Sequence, residues 1–215
     1  DRSSAYTKYP YLTFDIMGSP KGIARNDYSF LRGEFTLDYR LDVPPLGYSL
    51  IHLNAGKIFG AVPYPFLKLH EGNGTYFLDQ SAFTCMAFYE FTSDSWATLS
   101  MEHNFGGFFL GKVPLIRKLN LREVATFKAA YGTLSDRNNG IVGTAQSENA
   151  VLLFPKGMSS LNTPYVEMGV GISNILRLFR VDAFWRMTHR YTEIDGVREK
   201  SPNCFVVNLG MEFKF

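Results

Sequence analysis

The chain has 215 residues and a formal net charge of +2, and 46% of its residues are hydrophobic and 15% aromatic. This apolar fraction excludes a disordered chain, and the balanced charge argues against a nucleic-acid-binding protein. Two cysteines are too few for a disulfide scaffold or a cysteine-rich zinc site. No run of about 18 apolar residues occurs, so a transmembrane helix is excluded, whereas membrane-spanning strands with alternating side chains are not.

Apolar and polar residues alternate along most of the chain, with the period of two that is typical of β-strands. The last stretch is the clearest, because every odd position from 205 to 215 is apolar. No convincing amphipathic helix is present, so the fold class is all-β. The alternation predicts nine strands, in chain order over residues 12–17, 31–41, 50–59, 83–92, 97–105, 121–131, 166–173, 179–188 and 205–215.

The connections between these strands are uneven in length. A short turn covers 174–177, whereas 133–163 and 191–203 are long and polar. Outer-membrane barrels have short periplasmic turns and long extracellular loops, so we expect an antiparallel up-and-down transmembrane β-barrel. With residue 215 on the periplasmic side, the connections 60–81 and 110–120 also fall inside, where they are longer than this architecture favours.

The polar face of nearly every strand carries charge, and the acids nearly balance the bases. A lumen laced with salt bridges would require this balance, whereas the apolar face, with aromatic residues near strand ends such as Phe59 and Tyr131, suits contact with lipid. The ten candidate lumen-facing charges are Arg32, Glu34, Arg40, Glu102, Arg122, Glu167, Arg180, Asp182, Arg186 and Glu212. We expect them to pair with one another in a packed barrel; in an open pore they would tune ion selectivity.

The strand number raises a difficulty, because single-chain bacterial barrels normally have an even number of strands. Nine strands in an open sheet would leave two unpaired edges in lipid, which costs several kcal/mol for each backbone group. We therefore predict either that residues 1–215, a single β-barrel region, are the C-terminal fragment of a longer barrel chain, or that the count is wrong by one.

Several connecting segments occur in an order that resembles a known family. They are KIFG (57–60), PYPF (63–66), HEGN (70–73), YEF (89–91), EHNF (102–105), PLIRKL (114–119), LREV (121–124), YG (131–132), LSD (134–136), PYVE (164–167) and GVGISNI (169–175). Together they resemble the C-terminal outer-membrane β-barrel of a Gram-negative domain-of-unknown-function family. The resemblance covers roughly 57–215, and residues 1–56 are compatible but less distinctive.

This resemblance implies a location in the bacterial outer membrane and a parent chain whose barrel follows a carboxypeptidase-regulatory-like domain. The family is distantly similar to surface-antigen barrels of the outer-membrane assembly machinery, which carry an Arg-Gly motif on an inward-folded loop. Arg32-Gly33 echoes that motif from inside a predicted strand, so its role is not transferred. No catalytic residues are established for the family, and none is inherited.

Little else in the sequence indicates chemistry. Glu102 and His103 are strand neighbours that point to opposite faces and so form no dyad. The four histidines lack metal-ligand spacing, and Ser100 could neighbour an acid across strands without being singled out. Cys85, expected on the outward face of its strand, and Cys204 are predicted to lie far apart as two free thiols. Gly169 and Gly171 are predicted to permit strand curvature or close packing against bulky lumen side chains.

These features predict a non-enzymatic outer-membrane β-barrel that acts as an anchor or in envelope biogenesis or export. Its partners would be outer-membrane lipid and a periplasmic domain of the same parent chain or other envelope proteins, with no nucleic acid, metal or cofactor. One alternative is a channel or transporter with a charged lumen, a second is a soluble β-barrel that binds an apolar ligand, and a third is an outer-membrane hydrolase that uses Ser100. We expect Leu209→Arg to block membrane assembly and Asn208→Arg to be tolerated.

Overall fold

The structure of the chain is a computed structural model that describes residues 9–22, 28–141, 151–194, 197–201 and 203–211. This part of the chain is all-β, with short 3₁₀ turns and no helix long and apolar enough to cross a membrane. Its strands are β1 (Tyr11–Ser19), β2 (Phe30–Asp42), β3 (Tyr48–Phe59), β4 (Lys68–Leu69), β5 (Phe91–Ser93), β6 (Ser95–Asn104), β7 (Arg122–Thr133), β8 (Ser159–Ser160), β9 (Tyr165–Ile175), β10 (Phe179–Arg186), β11 (Tyr191–Ile194), β12 (Val197–Lys200) and β13 (Phe205–Met211).

Eight of these strands form one antiparallel sheet in the order β1-β2-β3-β6-β7-β9-β10-β13. Each of these strands pairs with the one that follows it in this order, so the sheet is an up-and-down meander. Eight of the nine predicted strands are confirmed. The prediction of a strand over 83–92 is wrong, because residues 82–86 are all buried and therefore have no exposed face to alternate with.

Removal of that strand changes the arrangement of the connections. The segment from residue 60 to residue 94 now lies at the same end of the sheet as the connections 134–164 and 187–204. The other end carries the shorter turns 43–47 and 176–178 together with 105–121, which contains two 3₁₀ turns. The even strand number of this sheet and the new position of 60–94 resolve two points that the sequence raised, whereas 105–121 remains longer than its neighbours at that end.

Residues 60–94, which we call the cover segment, fold over the polar face of the sheet. Two clusters of buried apolar side chains hold the segment there, one around Trp96 and Leu67 and the other around Tyr165, Met86 and Phe83. The opposite face of the sheet, which we call the apolar face, is exposed: Val170 is 55% exposed and Leu209 52% exposed. The cover segment thus lies on the charged face of the sheet, and the apolar face is exposed.

The closed barrel that the sequence predicts is not found. Within the described residues, no ladder joins the terminal strands β1 and β13. The outer edge of β13 is bonded to the cover segment instead. The Leu78 N–H donates to the Leu209 carbonyl at 2.8 Å, and the Leu209 N–H donates to the Tyr76 carbonyl at 2.9 Å. The structure is therefore an eight-stranded open sheet that wraps a covered polar face.

Candidate functional site

A row of polar side chains crosses the covered face of the sheet. Because directly paired residues on neighbouring strands share a face, each member lies beside the next. One residue comes from each of six successive strands, β2, β3, β6, β7, β9 and β10; in that order the row is Asp38, His52, Ser100, Lys128, Glu167 and Arg186. We call this set the transverse row.

Glu167, next to the last residue of the row, binds backbone groups of the cover segment. This fully buried carboxylate accepts the Thr84 N–H at 2.8 Å, the Cys85 N–H at 2.9 Å and the Tyr165 hydroxyl at 3.1 Å. A buried charge is stable only when its lone pairs are satisfied, and the two backbone donors of the cover segment contribute to this. The carboxylate and the segment therefore stabilise each other.

Arg186 holds the next turn of the cover segment. Its guanidinium makes a two-bonded ion pair with the Glu90 carboxylate, at 2.5 and 3.0 Å, and donates to the Cys85 carbonyl at 3.2 Å. The guanidinium carbon also lies 5.0 Å from the centre of the Tyr165 ring. Two-bonded arginine–carboxylate pairs fix orientation as well as position, so this contact sets the register of the cover segment on the sheet.

Lys128, which lies next to Glu167 in the row, completes this sealed half. Its ammonium donates to the Ala82 carbonyl and lies 5.7 Å from the centre of the Phe184 ring. Lys128, Glu167 and Arg186 thus all bind the cover segment between residues 82 and 90.

A second ionic cluster lies beside the sealed half. The Arg180 guanidinium donates to Asp182 at 2.6 and 2.8 Å and to Glu102 at 2.9 Å. Close approach here depends on glycine, because a Cβ on Gly171 would lie 2.1 Å from the Asp182 carboxylate and one on Gly169 would lie 2.6 Å from the Phe184 ring. The prediction that these glycines permit close packing against bulky side chains is confirmed.

The other half of the row is open. Asp38 Oδ1 lies 2.7 Å from His52 Nδ1, and about half of the His52 side chain is exposed. A cleft of about 220 Å³ adjoins His52, Ser100 and Lys128 on one side of the row, and a smaller one of about 70 Å³ adjoins the same three residues on the other side. His70 and Lys68 of the cover segment line the larger cleft.

Of the predicted lumen-facing charges, the nine that the structure describes share the covered face by strand register; Glu212 lies outside the described residues. The structure brings Glu102, Arg180 and Asp182 together and pairs Arg32 with Glu34 at 2.7 Å. It leaves Arg40 in an exposed pair with Asp42 and Arg122 half-buried at the start of β7. The sequence did not predict three further pairings. Asp38 with His52 and His52 with Ser100 depend on strand register, and Arg186 with Glu90 depends on the cover segment. No local signal in the sequence reveals either feature.

The cysteines are both free, as predicted. The outward orientation predicted for Cys85 is wrong, because this residue lies in the cover segment rather than in a strand and is fully buried. Burial, and then the charge of Glu167, raises the pKa of the Cys85 thiol to about 12. Both cysteines accept hydrogen bonds from Arg186 through their backbone carbonyls, so they flank one residue and do not lie far apart.

His70 is the other buried titratable group of the cover segment. Its Nε2 lies 3.0 Å from the Ser93 hydroxyl, and its Nδ1 has no partner among the described residues. Burial, and then the charge of Lys68, lowers the pKa of His70 to about 4. The imidazole is therefore neutral at pH 7.

The expectation for position 208 is revised. Asn208 is fully buried, and neither its amide nitrogen nor its amide oxygen has a partner among the described residues. An arginine there would be fully buried, and the carboxylate of its cross-strand partner Asp182 is already bonded to Arg180, so Asn208→Arg is expected to disturb the fold.

The family model for the C-terminal domain of a family of unknown function (DUF5686) matches residues 1–137. The chain belongs to that family. The predicted family of unknown function is thus confirmed, but the match covers residues 1–137 and not 57–215 as expected. It includes the cover segment and the four row residues from Asp38 to Lys128. No curated protein and no solved structure matches the chain.

Proposed function

We propose that this chain forms part of the wall of an outer-membrane β-barrel and serves as an anchor or as a component of envelope biogenesis or export. The observation that supports this proposal is the exposure of apolar side chains on the same face of all eight strands, while the half of the charged face around Glu167 and Arg186 lies beneath the cover segment. Soluble monomers rarely expose an apolar patch larger than about 600 Å². Such a face is suited to contact with the acyl chains of lipids.

Strand length and aromatic placement support the same proposal. The eight strands have 7 to 13 residues, which brackets the roughly 9–11 residues that a tilted strand needs to cross a bilayer. Four exposed aromatic side chains of the apolar face lie near the strand ends from which the long connections leave. They are Phe59, Tyr131, Trp185 and Phe205. Aromatic residues favour the membrane interface, where the ring meets both lipid and water.

The open edges of the sheet bear on its assembly. Unpaired backbone groups in lipid cost several kcal/mol each, and within the described residues the outer edge of β1 has no partner strand. We infer that further strands of a longer chain pair there as part of a larger barrel, with a periplasmic domain of the same parent chain as its partner. The cover segment, bonded to β13 at the opposite edge, then lies in the lumen.

The same observations bear on the channel and on the soluble ligand-binding barrel. A conducting channel would need a continuous aqueous path, and the cover segment fills the polar face along Lys128, Glu167 and Arg186. A soluble barrel with an apolar ligand would turn its apolar face inward. The exposed apolar face favours an anchored barrel over both.

Two neighbouring residues on β1 give a matched test. Ile16 lies on the apolar face and is 80% exposed, whereas Asp15 lies on the opposite face and is also exposed. We expect Ile16→Arg to lower the amount of chain in carbonate-washed outer membranes, since arginine at the bilayer centre costs about 2–4 kcal/mol. Asp15→Arg should assemble like the wild type. Equal assembly of both variants would contradict the proposal.

A further inference from the structure

We propose that Asp38, His52 and Ser100 form a hydrolytic triad that opens into the clefts beside the transverse row, and that the triad cleaves carboxylic esters. This activity goes beyond the proposed anchoring role; the sequence offered a hydrolase that uses Ser100 only as an alternative and did not point to Asp38 or His52. It rests on three polar residues of neighbouring strands whose types and order are those of an acid, a base and a nucleophile.

The acid–base contact is the first element. With 2.7 Å between Asp38 Oδ1 and His52 Nδ1, the Nδ1–H donates to the carboxylate. This contact assigns the imidazole tautomer and leaves the lone pair of Nε2 free to accept a proton. Asp38 thus acts as a positioning residue.

The nucleophile is the second element. Ser100 of β6 is paired directly with His52 of β3, and both side chains point to the covered face. Side chains so paired have Cβ atoms about 4.5–5.5 Å apart, which places the Ser100 hydroxyl within reach of an imidazole. Because both residues line both clefts, a substrate can approach them from either side.

Lys128 supplies the positive charge that the reaction needs. It is paired with Ser100 on the side away from His52, and one of its three N–H donors is used by the Ala82 carbonyl. Because Lys128 and Ser100 line the same two clefts, we expect the remaining donors to stabilise a tetrahedral oxyanion that forms on the Ser100 side chain.

The two clefts differ in chemistry, and this difference indicates the substrate. Leu50, Leu78 and Phe184 line the smaller cleft together with the paired side chains of Glu102 and Arg180, so it suits a small acyl group. Asn54, Thr98, Lys68 and Glu71 line the larger cleft, and Lys68 lies 3.8 Å from the Glu71 carboxylate, so this cleft suits a polar alcohol. The substrate class is therefore a carboxylic ester of a small acyl group and a polar alcohol.

The reaction balances without a cofactor. Ser100 Oγ bonds to the ester carbonyl carbon while its proton passes to His52 Nε2; the bond from that carbon to the alcohol oxygen then breaks, and the His52 proton passes to the departing alkoxide. Water next adds to the acyl-serine and gives a proton to His52. The bond to Ser100 Oγ breaks, Oγ recovers the proton, and the carboxylic acid leaves.

The chain contains a matched control. The Ser49 hydroxyl lies 2.8 Å from His103 Nδ1, and His103 Nε2 lies 2.9 Å from the Leu46 carbonyl oxygen. This pair has a carbonyl where the triad has a carboxylate, and Ser49 is buried away from both clefts. We therefore expect no nucleophilic activity from Ser49.

The test is covalent labelling of the purified full chain in detergent with a fluorophosphonate probe, followed by peptide mass spectrometry and a p-nitrophenyl ester assay. We expect the adduct on Ser100, and a loss of hydrolysis of at least about 1000-fold in Ser100→Ala but not in Ser49→Ala. Asp38→Asn should lower kcat with little change in KM, and Asp38→Glu should restore part of it. An unlabelled protein, an adduct on another residue, or wild-type hydrolysis by Ser100→Ala would overturn the proposal.

Discussion

The two halves of the transverse row contain similar polar residues in different surroundings. Glu167 and Arg186 are sealed by backbone and side-chain groups of the cover segment, whereas Asp38 and His52 pair with each other beside a cleft. Lys128 lies at the border, bonded to the cover segment and lining the clefts. Strand register places all six residues in one line, so register does not distinguish the halves. The cover segment does, because it turns one half into a structural anchor and leaves the other half accessible.

The sharpest way to break this comparison is to remove one arginine from each environment. The Arg186 side chain is 1% exposed and that of Arg40 is 39% exposed. Arg186→Met should lower the free energy of unfolding in detergent by about 3–5 kcal/mol, because it leaves Glu90 as an uncompensated buried charge. Arg40→Met should cost less than about 1 kcal/mol. Urea unfolding measures both, and equal losses would show that the cover segment does not seal Arg186.

The buried histidine of the cover segment predicts a pH dependence. His70 has a pKa of about 4 in the folded chain and about 6.5 when unfolded, so the unfolded chain takes up a proton first as the pH falls. The stability from the neutral imidazole is complete above pH 6.5 and is lost towards pH 4, an expected total of about 3 kcal/mol. Unfolding of wild type and His70→Gln across this range measures the effect; superimposable curves would contradict it.

Glycine packing on the covered face gives a smaller effect with an internal control. An added Cβ on Gly169 would lie 2.6 Å from the Phe184 ring, whereas one on Gly33 would meet nothing within 4 Å. Gly169→Ala should therefore cost about 1–3 kcal/mol through overpacking, and Gly33→Ala should stay within about 0.5 kcal/mol. Thermal unfolding of the two variants compares them, and a Gly33→Ala loss as large as that of Gly169→Ala would argue against the close contact.

Thiol reactivity sharpens the same distinction with the least disturbance to the fold. Cys85 is fully buried and its raised pKa keeps it protonated, whereas Cys204 is half-buried. Iodoacetamide at pH 8 should therefore modify Cys204 in the folded chain and Cys85 only after unfolding. A Cys204→Ser variant that still reacts rapidly in the folded state would show that the cover segment opens at Cys85.

The sequence predicted those parts of the fold that depend on local alternation. Eight strands and their two faces follow from a period of two, which each strand carries by itself. The false strand at 83–92 arose because apolar residues of the cover segment pack against Tyr165 from a non-strand conformation. The hydrogen bond of His52 with Asp38 and the pairing of His52 with Ser100 across two strands were not predictable, because they depend on register between strands that are distant in sequence.

The two tryptophans test the central claim most directly. Trp185 lies on the apolar face and is 42% exposed, whereas Trp96 is 4% exposed on the covered face and donates its indole N–H to Asn54 at 2.7 Å. In outer-membrane lipid vesicles with brominated acyl chains, a Trp96→Phe variant should lose most of its fluorescence, and a Trp185→Phe variant should keep it. If aqueous acrylamide quenches Trp185 and brominated lipid does not, the apolar face does not contact lipid and the account is contradicted.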